Sequence, residues 1–259
     1  MDIKITDLVK CEIIHVIFQN IKLFNDNVNI FFKEDEVYIQ TMDSAHISIF
    51  EMNIPSKWFD EYKVEKNITI GVNTNLIFKI LTTREKIQNI HFHMNIDTDD
   101  KLIMNFYNDK TIINKSFEVP LMDLETEQLN IPDMEYESEF SLPSFNMFQL
   151  VQQLKLFGDN IQIDCSEEQI SLHTITDDAG KMTATIKIDD LTAFEIEEDA
   201  ELKFSFGLNQ LCNIMQFNKI ASHVNISLKT GYPLKAKFVI SDKDEAFVNM
   251  YLAPKIDDE

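Results

Sequence analysis

Gln19 to Thr41 read QNIKLFNDNVNIFFKEDEVYIQT and Gln152 to Thr174 read QQLKLFGDNIQIDCSEEQISLHT, two stretches 133 positions apart with nine identities in 23 places. Between the identities the changes keep class: Ile21 answers to Leu154, Val28 to Ile161, Val37 to Ile170 and Ile39 to Leu172. A second pair lies 134 positions apart, NTNLIFKIL (73 to 81) after ITIGV and GLNQLCNIM (207 to 215) after LKFSF. A repeat near half of 259 residues is too long for a solenoid unit and predicts two copies of one compact domain.

Composition agrees with a globular chain. Hydrophobic residues make up 44%, enough for two cores, and there is no low-complexity tract. Cys11, Cys165 and Cys212 are odd in number and set in apolar periodic segments, which predicts buried free thiols in a reducing compartment. The beginning, MDIKITDLVKCE, has neither the basic region nor the apolar run of a signal or membrane segment, so the expectation is a soluble, intracellular protein.

Helical character is predicted for 7–22, 73–86, 144–157 and 207–219. In the first, Val9, Ile13, Ile17 and Ile21 form an apolar row and Glu12, His15, Gln19 and Lys22 a polar one. In its second copy Ser144 is the expected cap and the polar row is Asn146, Gln149, Gln152 and Gln153, followed by Lys155. Asn73 is the expected cap of the stretch after ITIGV. Between the helices, short alternating segments such as VYIQT, IHFHMNI, LIMNFYN, ISLHT, MTATIKI, HVNISL and FVNMYL read as antiparallel strands. The fold class is therefore α+β, each copy placing two helices on one face of a sheet. The domains expected are 1–119 and 138–259, joined by an acidic, proline-bearing connector over 120–137 whose Leu121, Met122, Leu124, Leu129 and Ile131 are too apolar for a passive linker.

Net charge is −21, which taken whole argues against nucleic acid. The four helical stretches break that trend, holding seven Lys and Arg against Asp7, Glu12 and Glu85, a local balance of +4 that leaves −25 for the rest. Carboxylate clusters at 97–100, at 195–199 and in the IDDE tail lack the frame of a calcium loop. His91 and His93 share one face of a strand and could hold zinc, but the sequence shows no matched third ligand, so no metal is expected. DDAGKMT (177 to 183) has Met182 where a phosphate loop needs Ser or Thr, and reads as a hairpin turn. No cofactor and no catalytic residues are expected, and so no enzyme.

Four segments carry a specific resemblance. QTMDSAHIS (40 to 48), IGVNT (70 to 74), LMDLETEQLNIPDMEY (121 to 136) and YLAPKIDDE (251 to 259) resemble, in order and spacing, the signature segments of the proliferating cell nuclear antigen family of eukaryotic sliding clamps. The resemblance spans the chain. It implies a clamp fold in which three subunits close head to tail into a ring, helices inside and sheets outside. It also implies that strands near 111–119 of one subunit pair with those near 180–188 of the next.

The same resemblance implies a DNA-facing set of Lys10, His15, Lys22, Lys79, Arg84, Lys86, Gln149, Gln152, Lys155 and Lys219. Where the family has Arg or Lys, this chain has Gln149, Gln152, Asn209 and Gln216, so a weak electrostatic grip on DNA is expected. For partners carrying a short clamp-binding peptide, the implied pocket is Met42, His46, Ile47, Leu129, Ile131, Pro132, Tyr136, Pro233, Tyr251, Leu252, Ala253, Pro254, Lys255 and Ile256. The expected partners are duplex DNA, a polymerase, a clamp loader, other peptide-bearing clients and the chain itself, with no membrane. The expected place of action is the nucleus, or a viral replication site if the gene is viral. Glu167 stands where the family carries its ubiquitin-acceptor lysine, so that modification is not expected here. The competing reading is a clamp-like subunit of a heteromeric checkpoint or repair ring.

Overall fold

The structure is a computed structural model that describes residues 1–96, 98–110, 112–125, 128–132, 134–176 and 180–255, with the side chains of 175 and 176 outside the description. The chain divides into two compact units: Met1–Ser44, Phe50–Leu129 and Ile240–Val248 form the first, and Ala45–Ile49, Asn130–Val239 and Asn249–Glu259 the second.

The first unit is built from β1 (Asp2–Ile5), α1 (Leu8–Ile21), β2 (Asn27–Phe32), β3 (Glu36–Met42), β4 (Ser48–Pro55), β5 (Glu61–Lys63), β6 (Ile68–Asn73), α2 (Thr74–Leu81), β7 (Asn89–His93), β8 (Lys101–Tyr107) and β9 (Lys115–Pro120). One antiparallel sheet runs β5-β1-β7-β8-β9, and a second places β4, β3, β2 and β6 in that order. Alternation puts Ile3, Ile5, Ile90, Phe92, Leu102, Met104 and Phe106 on the buried face of the first sheet and Val28, Ile30, Phe32, Val37, Ile39, Phe50, Met52 and Ile54 on that of the second.

The second unit follows the same plan with β10 (Ser138–Pro143), α3 (Ser144–Leu154), β11 (Asn160–Cys165), β12 (Gln169–Thr176), β13 (Gly180–Lys187), β14 (Ala193–Ile196), β15 (Leu202–Gly207), α4 (Leu208–Ile214), β16 (His223–Leu228), β17 (Leu234–Ser241) and β18 (Ala246–Leu252). Its strands pair as β13-β12-β11-β15 and as β14-β10-β16-β17. The flanks of the 177–183 segment are the two arms of a hairpin, paired from Gln169↔Lys187 to Thr176↔Gly180; residues 177–179 lie outside the described residues.

The repeat holds at the level of hydrogen-bond register. Ile30↔Ile39 and Phe32↔Val37 in the first unit correspond to Ile163↔Leu172 and Cys165↔Ile170 in the second, each residue displaced by 133 positions. The N–H of Thr74 donates to Asp26 at 2.8 Å and that of Leu208 to Asp159 at 2.8 Å, so even the entries to α2 and α4 are made alike.

Three local expectations change. In α1 the buried residues are Cys11, Ile14, Val16, Ile17, Phe18 and Ile21, while Val9 is 69% exposed and Ile13 half-buried. Ser144 does not cap α3; its hydroxyl donates to the carbonyls of Asn218 and Ala221, tying the helix start to the turn before β16. Asn73 does cap α2, accepting from the N–H of Leu76 at 2.9 Å. That helix stops at Leu81 rather than 86, because the hydroxyls of Thr82 and Thr83 donate back to the carbonyls of Lys79 and Ile80 at 2.7 and 2.8 Å.

Candidate nucleic-acid interface and connector

Of the basic residues picked out by the sequence, Lys10, His15 and Lys79 lie within α-helices and Lys22, Arg84, Lys86, Lys155 and Lys219 follow helix ends, and the structure sorts them into free and engaged. Lys79 on α2, Lys86 beyond it and Lys219 beyond α4 are exposed and carry no ion pair among the described residues. Lys22, the C-cap of α1, holds its ammonium 4.0 Å from the centre of the Phe78 ring, and His15 packs on the same ring at 5.5 Å. Phe78 thus bridges α1 and α2 and props a half-exposed cation above them.

Three cations are committed elsewhere. Lys10 donates to the Trp58 carbonyl, lies 3.8 Å from Asp60 and sits 5.3 Å over the Trp58 ring. Lys155 is bonded to Asp159, one turn along the chain. Arg84 departs furthest from the expected DNA-facing role. Its side chain is only 3% exposed, and its guanidinium donates to the carbonyls of Glu85, Lys86 and Gln88 and pairs with Glu12 at 3.2 Å. A guanidinium surrounded by loop carbonyls closes that loop and cannot reach a phosphate. In the second unit Gln149 and Asn209 are exposed and Gln152 is half-buried, neutral groups that can hydrogen-bond phosphate oxygens without adding charge. Asp7 caps α1 by accepting from the N–H groups of Val9 and Lys10, and Glu12 answers Arg84.

The connector is held to the first unit by three anchors. The N–H of Met122 donates to the carbonyl of Gly71 at 2.8 Å, Asn29 Nδ2 donates to the Leu124 carbonyl at 3.1 Å, and Gln40 bonds the backbone of Leu129. Gly71 is glycine for a packing reason. A Cβ there would lie 2.3 Å from the Met122 oxygen and 2.8 Å from Leu124 Cγ, so only a bare backbone lets the connector approach. Within the same unit Met42 ends β3 half-buried, and Leu129 is exposed.

In the second unit, the N–H of Ala253 donates to the Ile47 carbonyl at 2.9 Å and that of Lys255 to the Ser205 carbonyl at 2.8 Å, so the segment after β18 is pinned as an extended strip. His46 adopts a positive φ of 59°, turning the chain just before Ile47. Pro254 and Pro233 are half-buried, Pro132 is exposed and Ile131 half-buried. Tyr136 lies under the Lys235 ammonium at 5.8 Å, beside the turn in which Glu137 accepts from the N–H and hydroxyl of Thr230. Tyr251 and Leu252, expected in the pocket, are 7% and 1% exposed and belong to the packed interior of their unit. Ile256 lies outside the described residues.

Sequence reasoning missed Asn29 and the gripping role of Gln40. A polar residue placed within an apolar strand was the available signal for Asn29, which is buried in β2, and Gln40 lies inside one of the segments quoted above. Among the described residues no helix is long and apolar enough to cross a membrane.

The comparison with protein families completes the assignment. The model of the proliferating cell nuclear antigen N-terminal domain matches residues 5–129, and that of its C-terminal domain matches residues 130–256. The two together cover nearly the whole chain, and they change over at the point where Gln40 releases the connector. With its duplicated α+β units and docked connector, the chain belongs to the proliferating cell nuclear antigen family of DNA sliding clamps.

Proposed function

We propose that three copies of this chain close head to tail around duplex DNA and tether a polymerase and other replication and repair proteins through short peptides, without catalysing a reaction. A closed ring retains DNA by topology, so its inner surface needs only weak, sequence-independent phosphate contacts that permit sliding. The observation that carries this reading is the charge pattern on the helices of a clamp-family chain. Lys79, Lys86 and Lys219 are exposed without an ion pair among the described residues, and Lys22 is held out over the Phe78 ring, on a protein whose net charge is −21. DNA is then attracted to the helical surface and repelled from the remainder.

Client capture rests on the docked connector, where exposed Leu129 supplies apolar surface and the backbone offers hydrogen-bonding edges. The place of action is wherever the host replicates the relevant DNA, the nucleus or a viral replication site.

The test combines size and function. Light scattering should give a homotrimer, and polymerase extension of primed circular DNA in the presence of a loader should lengthen the products per binding event. A chain that remains monomeric, or trimerises yet leaves product length unchanged, overturns the proposal; assembly only with a second, different clamp subunit would support the heteromeric reading instead.

A further inference from the structure

On the solvent face of the five-stranded sheet of the first unit, three metal-ligating side chains converge. β1 pairs with β7 so that Asp2 lies opposite His93 and Lys4 opposite His91. Alternation along β7 sends His91 and His93 to one face while Ile90 and Phe92 go to the core. Asp2 Oδ2 is thereby placed 3.2 Å from His91 Nε2 and 3.4 Å from His93 Nδ1, and one ligand atom from each of the three residues lies within 4.8 Å of the others. The third ligand that the sequence did not reveal is thus Asp2, 89 positions from His91.

From these distances we infer that Asp2, His91 and His93 form a binding site for a divalent transition-metal ion of the zinc type, with a fourth position open to water. Zinc bonds imidazole nitrogen and carboxylate oxygen at about 2.0–2.2 Å, so two donors of a tetrahedral site stand about 3.3–3.5 Å apart. The Asp2 separations from both rings fall at that spacing. Two imidazoles and one carboxylate suit zinc and its neighbours, and they disfavour magnesium or calcium, which take oxygen sets.

One further observation points to a ligand at this place. Both rings address the same oxygen, while Asp2 Oδ1 is buried with no hydrogen-bond partner and Lys4 Nζ stands 3.7 Å away. Lys4 is held chiefly by Glu61 at 2.6 Å and stands farther, at 3.7 Å, from Asp2, and Glu61 also bonds Lys63.

The experiment uses the untagged full-length chain stripped with chelator, titrated calorimetrically with Zn2+ alone, and in parallel with Co2+ followed by visible absorption. The expected result is one equivalent of Zn2+ per chain, a tetrahedral Co2+ spectrum and no comparable binding of Mg2+. His93→Gln, at an exposed ring whose loss spares the core, and the near-isosteric Asp2→Asn should each weaken Zn2+ at least about tenfold. No saturable Zn2+ binding overturns the inference, and so do affinity and spectrum unchanged in both variants, which would put the ion on other groups such as His15, His46, His173 or His223.

Discussion

Gln40 holds the backbone of Leu129 with both ends of one carboxamide: its Nε2 donates to the Leu129 carbonyl at 3.0 Å, and its Oε1 accepts the Leu129 N–H at 2.7 Å. This fixes the last residue of the connector on the first unit and so sets where the exposed Leu129 side chain stands. Each bond contributes about 0.5–1.5 kcal/mol net. Gln40→Ala should therefore weaken a fluorescent client peptide, one carrying glutamine, an aliphatic and two aromatics, by about tenfold. The melting temperature should move by only a degree or two. An unchanged Kd would separate the connector from peptide capture.

Gly71→Ala tests the middle of the same segment. The added Cβ meets backbone oxygen at 2.3 Å, and backbone cannot rotate aside as a side chain can. Overpacking of this kind costs about 1–3 kcal/mol. Thermal unfolding should fall accordingly, and proteolysis within 121–129 should accelerate because the Met122 and Leu124 anchors no longer seat.

Lys79 and Arg84 look interchangeable in sequence and should behave oppositely. Lys79→Ala and Lys219→Ala each remove an exposed cation, so the salt dependence of DNA retention should become shallower, by about 0.9 in the log–log slope for each phosphate that is no longer neutralised. Stability should hold. Arg84→Ala leaves three loop carbonyls and Glu12 without their cation, and hydrogen bonds to a charged group contribute about 1.5–3 kcal/mol. It should lower the melting temperature markedly and leave the salt slope alone.

That contrast shows what could be read from the sequence. The two-unit α+β architecture was legible because Gln19 to Thr41 and Gln152 to Thr174 repeat both apolar period and turn residues, and the registers Ile30↔Ile39 and Ile163↔Leu172 follow from them. The buried face of α1 was not, because apolar residues lie nearly all round it and spacing alone could not choose Ile14 and Phe18 over Val9 and Ile13. Arg84 escaped because a cation's partner is settled by how a loop closes, here over 84–88, and loop closure has no period. Asp2 escaped for a related reason: its neighbours His91 and His93 come from strand pairing across 89 and 91 positions, which only the folded sheet reveals.

Thiol chemistry gives a check on the two cores. Burial pushes the Cys11 and Cys165 thiols up to about 11, and Cys11 Sγ is 3.4 Å from the Ile5 carbonyl. Burial raises the half-buried Cys212 as well. A raised pKa means less thiolate at a given pH, so at pH 8 only about a thousandth of Cys11 and Cys165 is reactive. The native chain should show at most one modifiable thiol, Cys212, reacting slowly and faster as pH rises. All three should react after denaturation. Rapid native labelling at Cys165 would mean that its sheet opens.

Assembly turns on the segment leading into β9. Ile112 and Ile113 are 103% and 60% exposed, an unusual placement for two β-branched apolar residues beside an edge strand. The backbone of Ile113 is fixed independently of its side chain, since its carbonyl accepts from Nε2 of the fully buried Gln88 at 2.8 Å. Ile113→Asp should therefore fold normally. If this edge meets the β13 edge of a neighbouring copy, as the proposed ring requires, the change removes apolar burial of about 1.5–3 kcal/mol at each of three contacts. It also places a carboxylate where it must lose water. In dilution series followed by light scattering, trimer should give way to monomer at protein concentrations about fifty to two thousand times higher than for the parent chain, the square root of the change in a three-body equilibrium, with melting in the monomeric state unchanged. A trimer as dilution-resistant as the parent's would put the subunit contact elsewhere.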